Sequence, residues 1–215
     1  MEILENFAVF EGGDGSGTST QLAMLGKKLN EIKKDDFSFF LTSEPTEGCI
    51  GKLIRSVLKK ECILQPQTLA GLFASDRNEH LFAPSGIADR CKRGELAVCD
   101  RYILSSLVYQ GIECGFELPC MLNSSFPAPQ LLIFFDLDPD IALERLDQRK
   151  SLEIYEYFDF QKKVRENYLL FLEKFRIDGA RVEIIDASQS KEKVFENVWS
   201  AVSKMPIFNK EVDRF

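Results

Sequence analysis

The sequence lacks the features that mark membrane proteins, zinc modules and disulfide-rich secreted domains. No apolar run approaches the roughly 20 residues that a membrane helix needs, so we expect no membrane association. No CxxC pair and no zinc-ligand spacing is present. Without a signal peptide, we therefore expect a cytoplasmic protein with reduced, mostly buried thiols, at Cys49, Cys62, Cys91, Cys99, Cys114 and Cys120.

Histidine is also scarce, and acidic residues outnumber basic ones. The one histidine, His80, is expected on a helix surface rather than as a ligand or base. The net charge of −7 argues against a broad surface for a nucleic acid polymer, although an acidic protein can still bind a nucleotide through a few local donors. The 215 residues, 45% of them hydrophobic and 28% charged, fit one α/β domain spanning 1–215.

A glycine-rich segment near the amino terminus carries the strongest local signal. The stretch FAVFEGGDGSGTSTQ (7–21) passes from an apolar strand through glycines into a helix predicted over 20–32. Four residues separate Gly12 from Gly17, and Ser19 follows, as in a P-loop. Such a loop turns its backbone N–H groups toward phosphate oxygens, and a hydroxyl at Ser19 is placed to bind Mg²⁺.

One position departs from the P-loop pattern. Thr18 stands where the motif has a lysine that reaches the β- and γ-phosphates. Threonine is uncharged and too short for that task. The motif alone therefore leaves open an ordinary glycine-rich turn without a ligand.

The rest of the chain alternates strands with helices. Strands are predicted at 37–42, 96–99, 131–137 and 181–185, and helices at 50–59, 66–91, 104–111, 139–149, 159–176 and 191–204. With the first strand this makes five strands, each followed by a helix. Such alternation predicts a parallel sheet with helices on both faces, and ligands at the carboxyl ends of the strands.

Three groups of residues carry possible chemistry. Asp100 and Arg101 follow the third strand, where they would order Mg²⁺ and bridge phosphates, or merely cap a strand–helix junction. Phe73 and Arg77 share a helix face, which suits stacking and hydrogen bonding to a nucleobase but also suits a core ring beside a surface cation. Tyr109 fits a pocket wall or the core equally well.

In their order and spacing these segments resemble the thymidylate kinase family, over nearly the whole chain. The landmarks are FEGGDGSGTSTQ (10–21), SEPT (43–46), LFASDR (72–77), CDRY (99–102), SSLVYQG (105–111), LLIFFDLDPDIALERL (131–146), EIYEYFDFQKKVRENY (153–168) and IDAS (185–188). The resemblance implies a P-loop NTPase-like fold with a five-stranded parallel sheet and a short lid at about 150–157. It also implies Mg²⁺-ATP as donor, dTMP as acceptor, and a homodimer.

The resemblance assigns roles by position. It places the ATP phosphates on Gly12, Gly13, Asp14, Gly15, Ser16, Gly17, Thr18, Ser19 and Thr20, and Mg²⁺ on Ser19 and Asp100. Catalysis falls to Asp100, Arg101, Arg149 and Lys150. It assigns binding of the acceptor to Asp14, Glu44, Phe73, Arg77, Arg101, Ser105, Tyr109, Tyr155 and Glu156. Within that set Asp14 would meet the 3′-hydroxyl, Phe73 would stack on thymine and Arg77 would bond its carbonyl, while 186–189 would border adenine.

The departures from the family pattern concentrate at charged positions. Besides Thr18, Ser43 stands in place of the arginine that grips the dTMP phosphate, and Ile154 in place of a lid arginine. Gly15 occupies the P-loop position that carries a catalytic arginine in some members, which leaves Arg149 and Lys150 as candidates to supply charge. Leu107 stands where some members have a polar residue at the base edge.

Three hypotheses follow from this pattern. The chain is a dTMP kinase with impaired rate or relocated charges, or a catalytically inactive homologue that binds nucleotide or a protein partner in a regulatory role. The third is a kinase for a different nucleoside monophosphate, suggested by Ser43 and Leu107.

Overall fold

A computed structural model describes residues 1–32, 37–145 and 151–208, and only the backbone of residues 151–157 and 177. Its strands are β1 (Ile3–Gly12), β2 (Phe39–Ser43), β3 (Leu96–Asp100), β4 (Ala128–Asp136) and β5 (Arg181–Asp186). They form one sheet in the order β2-β3-β1-β4-β5, and all paired strands are parallel. The predicted five-stranded parallel sheet is confirmed.

Helices cover both faces of the sheet because its strands are apolar on both sides. The helices are α1 (Thr18–Ile32), α2 (Cys49–Leu58), α3 (Pro66–Phe82), α4 (Ile87–Lys92), α5 (Ile103–Cys114), α6 (Glu117–Asn123), α7 (Pro139–Arg145), α8 (Ser151–Ile177) and α9 (Lys191–Val202), followed by a 3-10 turn at Pro206–Phe208. In β1, Phe7 and Val9 pack toward α3, α4, α5 and α8, whereas Ala8 and Phe10 pack toward α1 and α9.

The helix predicted over 66–91 is divided in two. Ala83 is extended, with φ −61° and ψ 157°, because the residue before a proline disfavours the helical conformation, and Pro84 follows it. Gly86 then packs against the last turn of α3, where a Cβ would lie 2.7–2.8 Å from the carbonyl oxygens of His80, Leu81 and Ala83. The prediction was therefore wrong at this proline.

Two other helices differ from the prediction. Residues 150–158 were expected to interrupt the helical pattern, yet α8 begins at Ser151 and runs unbroken to Ile177. The helix at Glu117–Asn123 was not predicted, and it contains Pro119 in its first turn. Proline is tolerated within the first turn of a helix, where its missing N–H has no intrahelical partner.

The cysteines and helices bear on two further expectations. All six thiols are free, but only Cys91 and Cys99 are buried, so the expectation of mostly buried thiols was wrong. None of the helices in the described part of the chain is long and apolar enough to cross a membrane.

Two helical glycines give a matched test of this packing. A Cβ at Gly51 of α2 would lie 1.9 Å from the carbonyl oxygen of Thr46, whereas a Cβ at Gly71 of α3 would meet no heavy atom within 4 Å. We expect Gly51→Ala to lower the free energy of unfolding by about 1–3 kcal/mol. Gly71→Ala should leave it unchanged or raise it by up to about 1 kcal/mol. Urea unfolding followed by circular dichroism measures both, and equal effects would contradict the packing of α2 on the 43–48 turn.

Candidate functional site

The candidate site lies where the carboxyl ends of β1, β2 and β3 meet. The register places Ser43 of β2 beside Asp100 of β3, and Asp100 beside Phe10 of β1. A cavity of about 550 Å³ opens there. Of the sequence-predicted residues, it brings together Asp14, Ser19, Glu44, Phe73, Arg77, Asp100, Arg101, Ser105 and Tyr109.

The loop between β1 and α1 has the backbone of an anion site. Gly15 and Gly17 have φ angles of 79° and 91°, which side-chain-bearing residues rarely adopt. Helix α1 begins at Thr18, and its first regular bond runs from the N–H of Gln21 to Gly17 O. The N–H groups of residues 18–20 therefore have no acceptor within the helix, and they add to the partial positive charge at its start.

A second cavity, of about 450 Å³, lies on the other side of this loop. It is lined by Gly15, Ser16, Gly17 and Thr20 from the loop and α1, and by Ala187, Gln189 and Lys191 from the segment after β5. Arg145 of α7 joins the two walls by donating to Ala187 O at 2.9 Å and, at 3.5 Å, to Gly15 O. The sequence analysis missed Arg145, since only the fold brings α7 to this loop.

Ser19 and Asp100 meet across the floor of the site. The Ser19 hydroxyl donates to Asp100 Oδ2 at 2.5 Å. Asp100 is 6% exposed, and its Oδ1 is buried without a hydrogen-bond partner among the described residues. A hydroxyl and a carboxylate with an unpaired oxygen are ligands of the kind that Mg²⁺ takes, so the residues present fit a magnesium ion.

Arg101 reaches from the end of β3 to the glycine loop. Its φ of 69° is left-handed, at a cost of roughly 1–2 kcal/mol. Three bonds hold it there: its N–H donates to Phe10 O at 2.8 Å, and its guanidinium donates to Gly12 O at 3.0 Å and to Asp14 Oδ1 at 2.8 Å. Burial raises the pKa of Cys99 well above its ordinary value, so this thiol stays protonated and donates to Arg101 O at 3.1 Å.

Asp14 is held by side chains from three elements. Besides Arg101, Tyr109 of α5 donates its hydroxyl to Asp14 Oδ1 at 3.2 Å, and Gln161 of α8 donates to Oδ2 at 3.1 Å. Burial raises the pKa of Tyr109 to about 12 although Arg101 opposes this, so the phenol remains a donor at neutral pH. The carboxylate is therefore oriented inside the loop.

Glu11 is a fully buried carboxylate that the sequence analysis overlooked. It accepts from the backbone N–H groups of Tyr102 and Ser105 at 2.9 and 3.2 Å, and from the hydroxyls of Ser105 and Tyr168 at 2.5 and 3.2 Å. Tyr102 directly precedes α5, and its side chain makes no capping hydrogen bond. Glu11 of β1 therefore caps the start of α5 instead. A single acid inside the apolar run FAVFE was the available signal.

Arg77 and Glu44 form a buried ion pair at the far wall. Arg77 is 1% exposed, and its Nη2 donates to Glu44 Oε2 at 2.6 Å and to Ser106 Oγ at 3.2 Å, while Nη1 donates to Asn123. The Nε of Arg77 has no partner within the described chain and is buried. Phe73 lies one turn earlier in α3, as predicted, and lines the same cavity.

His80 was predicted on a helix surface, and this was wrong. Its side chain is 8% exposed. The ring contacts Thr42 Oγ1 at 2.7 Å and Glu44 Oε1 at 3.2 Å, so it joins β2 to the ion pair. Position 80 looked exposed because the sequence does not show that β2 and the 43–48 turn cover this side of α3.

Helix α5 provides the remaining wall. Ser105 and Tyr109 line the cavity as predicted, and Ser106 and Gln110 line it as well. Gln110 is 5% exposed, and its Oε1 has no hydrogen-bond partner among the residues described. Leu107 instead packs in the apolar core at 3% exposure, so it does not replace a polar residue at the cavity.

Position 18 brings no charge to the loop. Thr18 is 6% exposed and uncharged. Arg55 of α2 lines the larger cavity and donates to Pro45 O at 2.5 Å. Arg149 and Lys150 lie outside the described residues, and Tyr155 and Glu156 lie in α8 with side chains that are not described.

Comparisons with known proteins agree with this geometry. The family model described as thymidylate kinase matches residues 10–198. "Putative thymidylate kinase" from Treponema pallidum (strain Nichols) is 43% identical over 201 residues, covering 92% of this chain and 95% of that protein. "Probable thymidylate kinase" from Pyrobaculum aerophilum is 38% identical, with 94% and 98% covered, and "Thymidylate kinase" from Geobacillus sp. (strain WCH70) is 37% identical, with 91% and 95% covered.

The buried carboxylate of Glu11 gives a prediction about pH. Burial raises its pKa above the ordinary 4.5, although Ser105 and Arg101 partly oppose this. The folded state therefore binds this proton more tightly than the unfolded state, and the contribution of Glu11 to stability falls as pH rises from about 4.5 through the raised pKa. Glu11→Gln removes this titration, so its stability relative to wild type should increase between about pH 4.5 and pH 7.5.

Thermal or urea unfolding at several pH values measures that difference. Glu61→Gln, a change at an exposed carboxylate, controls for the loss of one surface charge. A difference between wild type and Glu11→Gln that shrinks or stays level as pH rises would contradict the raised pKa.

Proposed function

Because the chain belongs to the thymidylate kinase family, we propose that it transfers the γ-phosphoryl group of Mg²⁺-ATP to dTMP, giving dTDP and ADP. The observation that carries this proposal is the shared edge of the sheet. The glycine loop, the Ser19–Asp100 pair and the larger cavity all open there. A direct in-line transfer needs two bound nucleotides, oriented charges and no covalent intermediate.

The donor nucleotide fits the glycine loop and the smaller cavity. The loop and the start of α1 offer backbone N–H groups to phosphate, and the cavity continues to the segment after β5. Adenine would lie there, between Arg145 and residues 186–189. Phosphate contacts are assigned to Gly12, Gly13, Asp14, Gly15, Ser16, Gly17, Thr18, Ser19 and Thr20.

Magnesium would arrive with ATP and be held by Ser19 and Asp100. It supplies charge neutralisation on the phosphates. Asp100 accepts the Ser19 hydroxyl on Oδ2 and keeps Oδ1 for an incoming ligand. Arg101, fixed beside Gly12 and Asp14, lies between the donor loop and the acceptor cavity, where a guanidinium can bind phosphate oxygens of both nucleotides.

The far wall of the larger cavity matches a thymine edge. Arg77 Nε is a buried donor without a partner, and Gln110 Oε1 is a buried acceptor without a partner, among the described residues. Both residues line the cavity, which also contains the Phe73 ring. Thymine presents a carbonyl acceptor at O4 beside an N3–H donor, whereas cytosine presents an amino donor beside an acceptor. With Arg77 donating to O4 and Gln110 accepting from N3–H, thymine would satisfy both of these buried groups.

The sugar and acceptor phosphate occupy the near side of this cavity. Asp14, oriented by its three neighbours, is placed to accept the 3′-hydroxyl, and Tyr109 borders the sugar. Glu44 acts through Arg77, which it holds in position, and Ser105 lines the cavity while donating to Glu11. Tyr155 and Glu156 of α8 are assigned to the sugar from the family pattern alone.

The missing lysine limits the expected rate. A preorganised charge aimed at the transition state contributes roughly 3–4 kcal/mol, or 10²–10³ in rate. Thr18 supplies none, so we expect slower transfer unless Arg149 or Lys150, at the start of the proposed lid (150–157), provides it.

The protein is also proposed to be a cytoplasmic homodimer. A solution mass twice 24.5 kDa would support the homodimer.

The direct test is dTDP formation from dTMP and Mg²⁺-ATP at high protein concentration over hours. We expect wild type to form dTDP and Asp100→Ala to lose at least about 10² of that rate. Thr18→Lys serves as the reference for an intact phosphate site. If only Thr18→Lys forms dTDP, the natural chain is a binding homologue rather than a kinase. If neither forms dTDP, or another nucleoside monophosphate is preferred, the proposal is wrong.

Base recognition gives a second prediction. Gln110→Leu removes the buried acceptor, so an N3–H in the pocket loses its partner, and we expect kcat/KM for dTMP to fall roughly 10–100-fold. Gln110→Glu keeps an acceptor at the same place and should retain more of the activity. Steady-state kinetics with dTMP compares them. Equal losses in both variants, or none, would contradict the proposed contact.

A further inference from the structure

We propose that Gln161 is a positioning residue that holds the Asp14 carboxylate for the 3′-hydroxyl of the acceptor. The inference rests on the proposed function, because it concerns the sugar contact assigned to Asp14. It adds a residue from α8 to the side chains that hold Asp14.

The geometry places Gln161 directly against the glycine loop. It is 3% exposed, and its Nε2 donates to Asp14 Oδ2 at 3.1 Å. A Cβ on Gly13 would lie 3.2 Å from Gln161 Oε1. The amide therefore packs closely over the loop backbone, and the absence of a side chain at Gly13 allows this approach.

The Asp14 carboxylate is oriented from both of its oxygens. Arg101 and Tyr109 donate to Oδ1, and Gln161 donates to Oδ2. The Asp14 side chain is 41% exposed, so loss of the Gln161 hydrogen bond should give it more rotational freedom, which must be lost again when a sugar binds. A neutral amide fixes Oδ2 without adding charge beside the phosphate site.

Helix α8 is itself firmly placed. Val164 and Tyr168 are fully buried in the core, and Arg165 pairs with Asp136 at 2.7 Å. Phe160, the residue before Gln161, lines the acceptor cavity and lies 6.0 Å from the Tyr109 ring. Two consecutive residues of one rigid helix thus border the acceptor cavity and the donor loop, which is how a well-anchored element sets a binding geometry.

The test compares dTMP with 3′-deoxythymidine monophosphate, which lacks the hydroxyl. Isothermal titration calorimetry gives the dissociation constants without requiring turnover. We expect wild type to bind dTMP more tightly. Gln161→Leu should reduce this preference about tenfold, by weakening dTMP binding while leaving the 3′-deoxy nucleotide unchanged. The neighbouring exposed residue gives the matched control, Lys162→Leu, which should keep the wild-type preference.

A double-mutant cycle separates positioning from a general structural role. In an Asp14→Asn background, Gln161→Leu should change the preference little, because the group that it positions is already altered. An undiminished preference in Gln161→Leu, or equal weakening of both nucleotides, overturns this inference alone. A wild-type protein that binds both nucleotides equally overturns the Asp14 contact as well, whereas failure to form dTDP concerns only the proposed activity.

Discussion

The buried carboxylate of Glu11 is the interaction on which the arrangement of the site depends. A carboxylate inside an apolar sheet is costly unless hydrogen bonds satisfy it. Glu11 meets this requirement by accepting from the start of α5 and from Tyr168 of α8. Because Glu11 directly precedes Gly12, the same bonds fix the glycine loop relative to the two helices that form the acceptor side. The positions of the glycine loop and of the larger cavity therefore depend on the same buried carboxylate.

The larger cavity and the glycine loop on either side of Glu11 differ in their polar groups. At the larger cavity, Arg77, Glu44 and His80 form a buried network in which they orient one another. Because buried ion pairs contribute little net stability, we expect this network to act mainly by positioning Arg77. It leaves Arg77 Nε without a partner among the described residues, as the proposed hydrogen bond to a base requires. The glycine loop instead offers backbone N–H groups and the neighbouring Arg101, and Thr18 stands in place of a lysine.

The sequence predicted the features that depend on short-range patterns. Apolar runs at Phe7–Phe10 and 131–137 identified central strands, and glycine spacing identified the loop, because strand burial and left-handed backbone leave clear local signals. Asp100 and Arg101 stood out because they follow the strand predicted at 96–99, and Phe73 because it shares a helix face with Arg77.

Features that depend on distant contacts could not be predicted. Glu11, Gln110, Arg145 and Gln161 acquire their places from elements up to 157 residues apart in the chain. Only Glu11 carries a local mark, as the single acid in an apolar run. His80 looked exposed because its cover comes from β2. Leu107 looked like an altered site residue because some members of the family have a polar residue at its position, yet its side chain packs in the core.

A crystal structure with dTMP, Mg²⁺ and a non-hydrolysable ATP analogue would show directly how the two nucleotides bind. We expect thymine against Phe73 with its N3–H at Gln110 and O4 at Arg77, the 3′-hydroxyl at Asp14, and the metal at Ser19 and Asp100. A base in another orientation, or a metal bound away from the Ser19–Asp100 pair, would contradict this expectation.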